Sequence, residues 1–244
     1  MNVNDKIQIM RLKEIKDKLE KDGSFRIAFV GDSLTSCEWV HPNWREIVEY
    51  VLKEELQRQF SDWKVPSWGI RGYNLGFDGS TTRDIKNKLK DIVELRPDLV
   101  LGLMGGNDPV LGVEVKETGK NLREIFETLE KSGAKIIWST ALPDLRGEKI
   151  QKYDAYRKVT IKVGGGWVFD GFEKYRNYDL ERFFTFKSEE NPEEGIKKGE
   201  RDPCHPNQLG NAYVAKMFLE EMGISFDAEK YTDENRQGEK FPGY

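Results

Sequence analysis

Residues 25–33 read FRIAFVGDS. The run is short, almost wholly apolar, and cut off by Gly-Asp-Ser. That pattern predicts a buried strand that ends in a tight turn. Working outward, residues 5–21 carry Ile7, Ile9, Met10, Leu12, Ile15 and Leu19 at helical spacing, which predicts an amphipathic helix ended by Gly23. Residues 43–60 read as a second helix, and residues 64–70 as a second strand in spite of Pro66. NLGFDGSTTRDIKNKLKDIVEL (74–95) reads as a loop and then a helix, capped by Ser80, Thr81 or Thr82 with Asp84 in its first turn.

The same alternation continues to the end. PDLVLGLMGGND (97–108) is a strand entering a glycine-rich loop, 114–131 a helix, and AKIIWSTALPD (134–144) a strand and loop. Residues 148–162 read as a helix, GWVFDGF (166–172) as a last strand, and 207–222 as the final helix. Strands alternating with helices imply βαβ units and a parallel sheet covered on both faces. No linker divides residues 1–244, so one domain is expected. Residues 172–201 are too long and too charged for an ordinary connection, and read as a functional loop or a flap. The tail, 225–244, is expected to pack on the surface.

Composition narrows the function. Apolar residues make up 37% and charged residues 34%, which places the chain among soluble globular proteins. A net charge of −4 with well-mixed signs argues against a nucleic-acid binder. Two cysteines, Cys37 and Cys204, are no disulfide framework and read as reduced thiols. Together with two histidines they leave little material for a zinc site. Charges interrupt every apolar stretch near the N-terminus, so no membrane span is expected. The expected location is the cytoplasm, although a secreted chain stripped of its leader would read the same way.

In such a sheet, ligands bind beyond the carboxyl ends of the strands. Three distinctive loops follow strands: Gly31-Asp32-Ser33-Leu34, Gly105-Gly106-Asn107-Asp108, and Asp202-Pro203-Cys204-His205. A serine hydroxyl is a weak nucleophile unless a base takes its proton. His205 is the better candidate base; His41, just before a helix, reads as a surface or capping residue. Asp202, three residues before His205, is spaced to reach the imidazole and fix its tautomer. Candidate donors to a developing oxyanion are the backbone N–H groups of Ser33 and Gly79 and the side-chain amide of Asn107. A helix starting after Ser33 would add its positive end.

Each piece also has a plainer reading. Ser33 alone could cap a helix, Asn107 could be a loop residue, Gly79 could permit a turn, and Asp202 with His205 could be a surface pair. Trp39, Trp44, Trp68, Tyr73 and Trp138 lie near the site-bearing segments but are expected in the core. Gly164-Gly165-Gly166 lacks the strand-then-helix context of a phosphate loop.

Taken together, these residues resemble the SGNH (GDSL-like) hydrolases. That family carries a Gly-Asp-Ser, an N-x-G-x-x-G loop, a G-x-N-D loop and a late D-x-x-H. Here they stand in the same order as Gly31-Asp32-Ser33, Asn74-Leu75-Gly76-Phe77-Asp78-Gly79, Gly105-Gly106-Asn107-Asp108 and Asp202-Pro203-Cys204-His205. The resemblance implies a three-layer α/β/α sandwich with a five-stranded parallel sheet. It also implies ester hydrolysis through an acyl-serine with no cofactor and no metal. Catalytic Ser33, Asp202 and His205 would face an oxyanion hole of Ser33, Gly79 and Asn107. The stretch before Asp202 is longer than in compact members, and Cys204 sits inside the D-x-x-H turn. The G-x-S-x-G elbow of α/β-hydrolases is absent.

The expected substrate is a small-molecule or carbohydrate ester with a short acyl group, for instance an O-acetyl on a sugar. A thioesterase, a lysophospholipase and an acyltransferase remain alternatives on the same site. A non-catalytic carbohydrate-binding module is the alternative of another class. Nothing in the sequence fixes the oligomeric state.

Overall fold

The structure, a computed structural model, describes residues 11–36, 40–145, 150–187 and 197–235. Of the first expected helix, residues 5–10 lie outside the described residues. The remainder forms α1 (Leu12–Asp22), ended by Gly23 at φ +70°, a left-handed conformation that glycine adopts without steric cost. The quoted run forms β1 (Phe25–Gly31). It is followed by α2 (Ser33–Ser36) and by α3 (Trp44–Gln57), whose Asn43 cap accepts from the Arg45 N–H.

Of the strand expected over residues 64–70, only Ile70 is in a strand. Pro66 sits in a short helix, α4 (Lys64–Gly69), and the second strand is β2 (Ile70–Gly76). Asn74 and Gly76 therefore end a strand rather than open a loop. Next come α5 (Thr82–Asn87), α6 (Leu89–Glu94), β3 (Leu99–Leu103), α7 (Val115–Lys131) and β4 (Lys135–Ser139). The single helix expected before β3 is thus broken at Lys88. The chain continues through α8 (Ile150–Gly164), a 3-10 turn at Gly165–Trp167, β5 (Val168–Phe169) and α9 (Gly171–Arg176). A further 3-10 turn (Leu180–Arg182), α10 (Gln208–Glu221) and α11 (Ala228–Asn235) follow. The tail expected on the surface instead starts in the core, where Phe226 and Ala228 are buried, and continues as α11; residues 236–244 lie outside the described residues.

The five strands are all parallel, in the order β2-β1-β3-β4-β5, with helices on both faces. Alternation along the strands explains the two layers. Phe25, Ile27 and Phe29 of β1 and Leu99, Leu101 and Leu103 of β3 pack towards α1, α3 and α10. Ala28, Val30 and Val100, with Ile136 and Trp138 of β4, pack towards α5, α6 and α7. Each such large side chain contributes roughly 1.5–3 kcal/mol on burial. Both faces need apolar partners, which is why β1 reads as a run rather than an alternation.

The start of the 172–201 segment is not a flap. Tyr175, Phe183 and Phe184 are fully buried and join the α3–α10 core. Further along, Lys187 bridges Arg201, and residues 188–196 lie outside the described residues.

Candidate active site

The chain runs from β1 out to β2 on one side and then returns to β3 on the other. The order therefore reverses between β1 and β3, and the carboxyl ends of the strands at such a reversal are where ligands bind in open α/β sheets. Register sets the height of the loops. Gly31 pairs with Gly76 on one side and with Leu103 on the other, so three strands end level. Ser33 follows two residues after Gly31, Gly79 three after Gly76, and Asn107 four after Leu103. These loops consequently leave the sheet side by side.

Gly31 has no room for a side chain. A Cβ there would stand 2.2 Å from Thr35 Oγ1 and 2.4 Å from the Leu103 carbonyl oxygen. The absent side chain lets β1 turn at once into α2. Asp32 Oδ1 accepts from the Leu34 N–H at 3.1 Å and fixes the turn carrying Ser33. Because α2 is a single turn, it supplies little of the dipole expected of a helix after Ser33.

His205 Nδ1 lies 2.7 Å from Asp202 Oδ2, and His205 Nε2 lies 3.0 Å from Ser33 Oγ. With Nδ1 protonated and donating to the carboxylate, Nε2 is left to accept from the serine hydroxyl. Asp202 Oδ1 meanwhile accepts from the N–H groups of Cys204 (2.7 Å) and His205 (3.0 Å). Burial alone would raise the Asp202 carboxyl. The hydrogen bond and charge of His205, with the two N–H donors, outweigh it and hold the group below its usual value. Asp202 therefore remains ionised through the neutral range.

The loop carrying this pair is braced by contacts that the sequence did not reveal. Asp202 N–H donates to the Phe186 carbonyl at 2.8 Å and Asn207 N–H to the Phe183 carbonyl at 2.7 Å. Asn207 Oδ1 accepts from the Gly210 N–H and so caps α10. Asn211 donates to the Pro206 carbonyl at 2.9 Å and accepts from the Trp44 N–H at 3.1 Å, tying this loop to the start of α3. The early part of the 172–201 segment thus backs the Asp202–His205 loop.

The Gly79 backbone is left-handed, φ +68°, with open space on its Cβ side. Asn107 Nδ2 donates to the Ser80 carbonyl at 3.0 Å, which joins the Asn107 loop to the Gly79 loop. An amide nitrogen has two hydrogens, so one N–H of Asn107 is free to serve a ligand. On β2, Asn74 donates to the Ser36 carbonyl at 2.7 Å and accepts from the Gly76 N–H, bracing the far end of α2.

Asp32 itself is buried, and burial pushes its carboxyl up to about 6 against the Leu34 N–H and the charge of His205. His41 is an exposed partner of Glu46 at 2.8 Å, as a surface residue would be. Trp44 and Trp138 lie in the core and Trp68 is exposed; Trp39 and Cys37 lie outside the described residues. Cys204 is half-buried. Among the described residues no group of three or more His, Cys, Asp or Glu side chains could hold a metal ion, and no helix is long and apolar enough to cross a membrane.

Residues 29–213 match the sequence profile of the GDSL-like lipase/acylhydrolase family, a span that takes in Ser33, Asn107, Asp202 and His205. The chain belongs to the GDSL-like lipase/acylhydrolase family. As a member it is a carboxylic ester hydrolase. Solved structures share its fold at low identity. An acetylxylan esterase from Geobacillus stearothermophilus superposes with a TM-score of 0.61 at 21% identity, over 84% of this chain and 95% of that one. A second acetyl xylan esterase gives 0.60 at 20% identity, over 82% and 98%. The lipase/acylhydrolase from Enterococcus faecalis gives 0.59 at 20% identity, over 82% and 96%. No sequence among curated proteins matches the chain.

Proposed function

We propose that this GDSL-family enzyme is a serine esterase for short-chain carboxylic esters, with O-acetyl groups on carbohydrates as its substrate class. The observation that carries the reading is the line of groups from Ser33 Oγ to His205 Nε2 at 3.0 Å and from His205 Nδ1 to Asp202 Oδ2 at 2.7 Å. Ser33 attacks the ester carbonyl while its proton passes to His205 Nε2. The oxyanion is held by the N–H groups of Ser33 and Gly79 and the free N–H of Asn107. Each such donor lowers the barrier by about 2.7–4 kcal/mol. The imidazolium then protonates the leaving alcohol. A water molecule, deprotonated by the same nitrogen, cleaves the acyl-serine and returns the proton to Ser33.

Two observations support a short acyl group on a sugar. Among the described residues the exposed large apolar side chains are Tyr50, Trp63, Trp68 and Leu111, and only Leu111 sits on a loop beside the candidate oxyanion donors. A long acyl chain would need a broader apolar surface there. The acetylxylan esterases that share the fold act on acetylated carbohydrate, and a serine-to-alanine variant of one of them is described as a catalytic mutant.

The test compares wild type and Ser33→Ala on p-nitrophenyl acetate, butyrate and octanoate, and follows acetate release from acetylated xylo-oligosaccharides. The expected result is fastest turnover of acetyl esters, lost with Ser33. Equal rates in the variant would remove Ser33 from the mechanism. A preference for octanoyl esters would overturn the short-chain assignment.

A further inference from the structure

Asp108 directly follows Asn107, and its side chain is completely buried. No cation pairs with it among the described residues. Three donors from two other elements satisfy it instead. Oδ1 accepts from the Thr82 N–H at 2.8 Å, and Oδ2 accepts from the Thr82 hydroxyl at 2.6 Å and from the Thr118 hydroxyl. Asn121 closes the cluster by donating to Thr82 Oγ1 at 3.2 Å.

The placement of these donors gives the cluster its meaning. Thr82 opens α5 three residues after Gly79, and Thr118 and Asn121 lie in α7, which follows the Asn107 loop. The Asp108 carbonyl accepts from the Val113 N–H at 2.9 Å, and the Asn107 carbonyl accepts from Leu111 at 2.8 Å, so the intervening chain is wound tightly. One carboxylate therefore fastens the backbone of both loops that carry proposed oxyanion donors. A buried carboxylate without a cation is an expensive way to fill space; an apolar side chain would fill the same volume at lower cost.

We propose that Asp108 is a positioning residue for the oxyanion hole, holding the Gly79 loop and the Asn107 amide at the separation that the tetrahedral intermediate requires. The inference rests on the functional reading above. Asp108 does not touch substrate; it acts through Thr82 and through the peptide that it shares with Asn107. Because the tetrahedral oxyanion exists only after attack, loosening this clamp weakens binding of the transition state more than binding of the ester. A displacement of about 1 Å at such a site can cost about 100-fold in rate.

The experiment measures kcat and KM on p-nitrophenyl acetate for wild type, Ser33→Ala, Asp108→Ala and Leu129→Ala, together with inhibition by phenylboronic acid. The last variant is a control, a core truncation in α7 away from both loops. The expected result for Asp108→Ala is a fall in kcat of about 10- to 100-fold with KM changed less than about threefold. Phenylboronic acid affinity should fall in step, because its adduct on serine is tetrahedral. Leu129→Ala should keep wild-type kcat at a temperature where it is folded. Should Asp108→Ala fail to fold, Thr82→Val provides the test. It keeps side-chain volume and the N–H, and should lower kcat about threefold to tenfold at constant KM. Ser33-dependent turnover that Asp108→Ala or Thr82→Val leaves unchanged, or a loss that Leu129→Ala reproduces, overturns the inference alone. Turnover independent of Ser33 overturns the functional reading and this inference with it.

Discussion

Replacing Asp32 by asparagine should stabilise the protein at pH 7.5 relative to pH 4.5. Asp32 lies beside the proposed nucleophile, only 4% exposed, and burial raises its carboxyl from 3.8 to about 6. In the unfolded chain the group ionises near the lower value; in the folded protein it holds its proton until the higher one. Between the two, the folded state binds the extra proton, so stability falls as pH rises through that window. A gap of about two pKa units corresponds to roughly 3 kcal/mol, fully lost above the folded value. Asparagine has nothing to ionise and keeps an oxygen for the Leu34 N–H. The assay is urea denaturation of wild type and Asp32→Asn at both pH values. Taking the difference between variants cancels the titrating groups that do not couple to Asp32. The stability gained by substitution should be about 2 kcal/mol larger at pH 7.5 than at pH 4.5, because about 1 kcal/mol of the roughly 3 has already gone at pH 4.5, above the unfolded value. A gain that does not change with pH would refute the claim that Asp32 is held neutral by burial.

Two further outcomes follow from the site. Asp202→Asn should fold and yet lower kcat by about 10³- to 10⁴-fold at neutral pH, because an amide cannot fix the tautomer that leaves Nε2 free; steady-state turnover of p-nitrophenyl acetate checks it. Asn107→Ala removes one proposed donor and the tie to the Ser80 carbonyl. Its kcat should fall about 10²- to 10³-fold while circular dichroism stays that of the native fold.

The strands that carry the catalytic loops were legible because they are buried on both faces. β1 and β3 must present apolar groups to two layers, and their sequences read as runs ending in glycine-rich turns. β2 was misplaced for the opposite reason. It is an edge strand, and Arg71, Gly72 and Asn74 face solvent, so its pattern carries no apolar signal. The more apolar stretch just before it, held by Pro66, drew the reading instead and is a helix. Likewise, the helix expected whole before β3 breaks at Lys88, a change of direction that helical periodicity does not record.

At the site, the chemical groups were readable from residue type and order; their supports were not. Ser33, Asp202 and His205 have few alternatives in a chain with two histidines. The Asp108 cluster joins residues 26 and 10 positions apart, and Asn211 reaches 167 positions back to Trp44. Such contacts depend on how helices lean on the sheet, and no local pattern encodes that. The segment after β5 looked like a flap because its Glu and Lys content is high. Its aromatic side chains point inward, and its carbonyls accept from the loop that carries Asp202 and Asn207.

The central claim is that one hydroxyl, at position 33, is made nucleophilic by its neighbours. Covalent labelling tests it most directly. The protein is treated with a fluorophosphonate, digested, and the modified peptide sequenced by mass spectrometry. The account predicts a single adduct on Ser33 in wild type and a labelling rate reduced at least 100-fold in His205→Ala. Labelling of a different serine, or equal labelling with and without the imidazole, would contradict it.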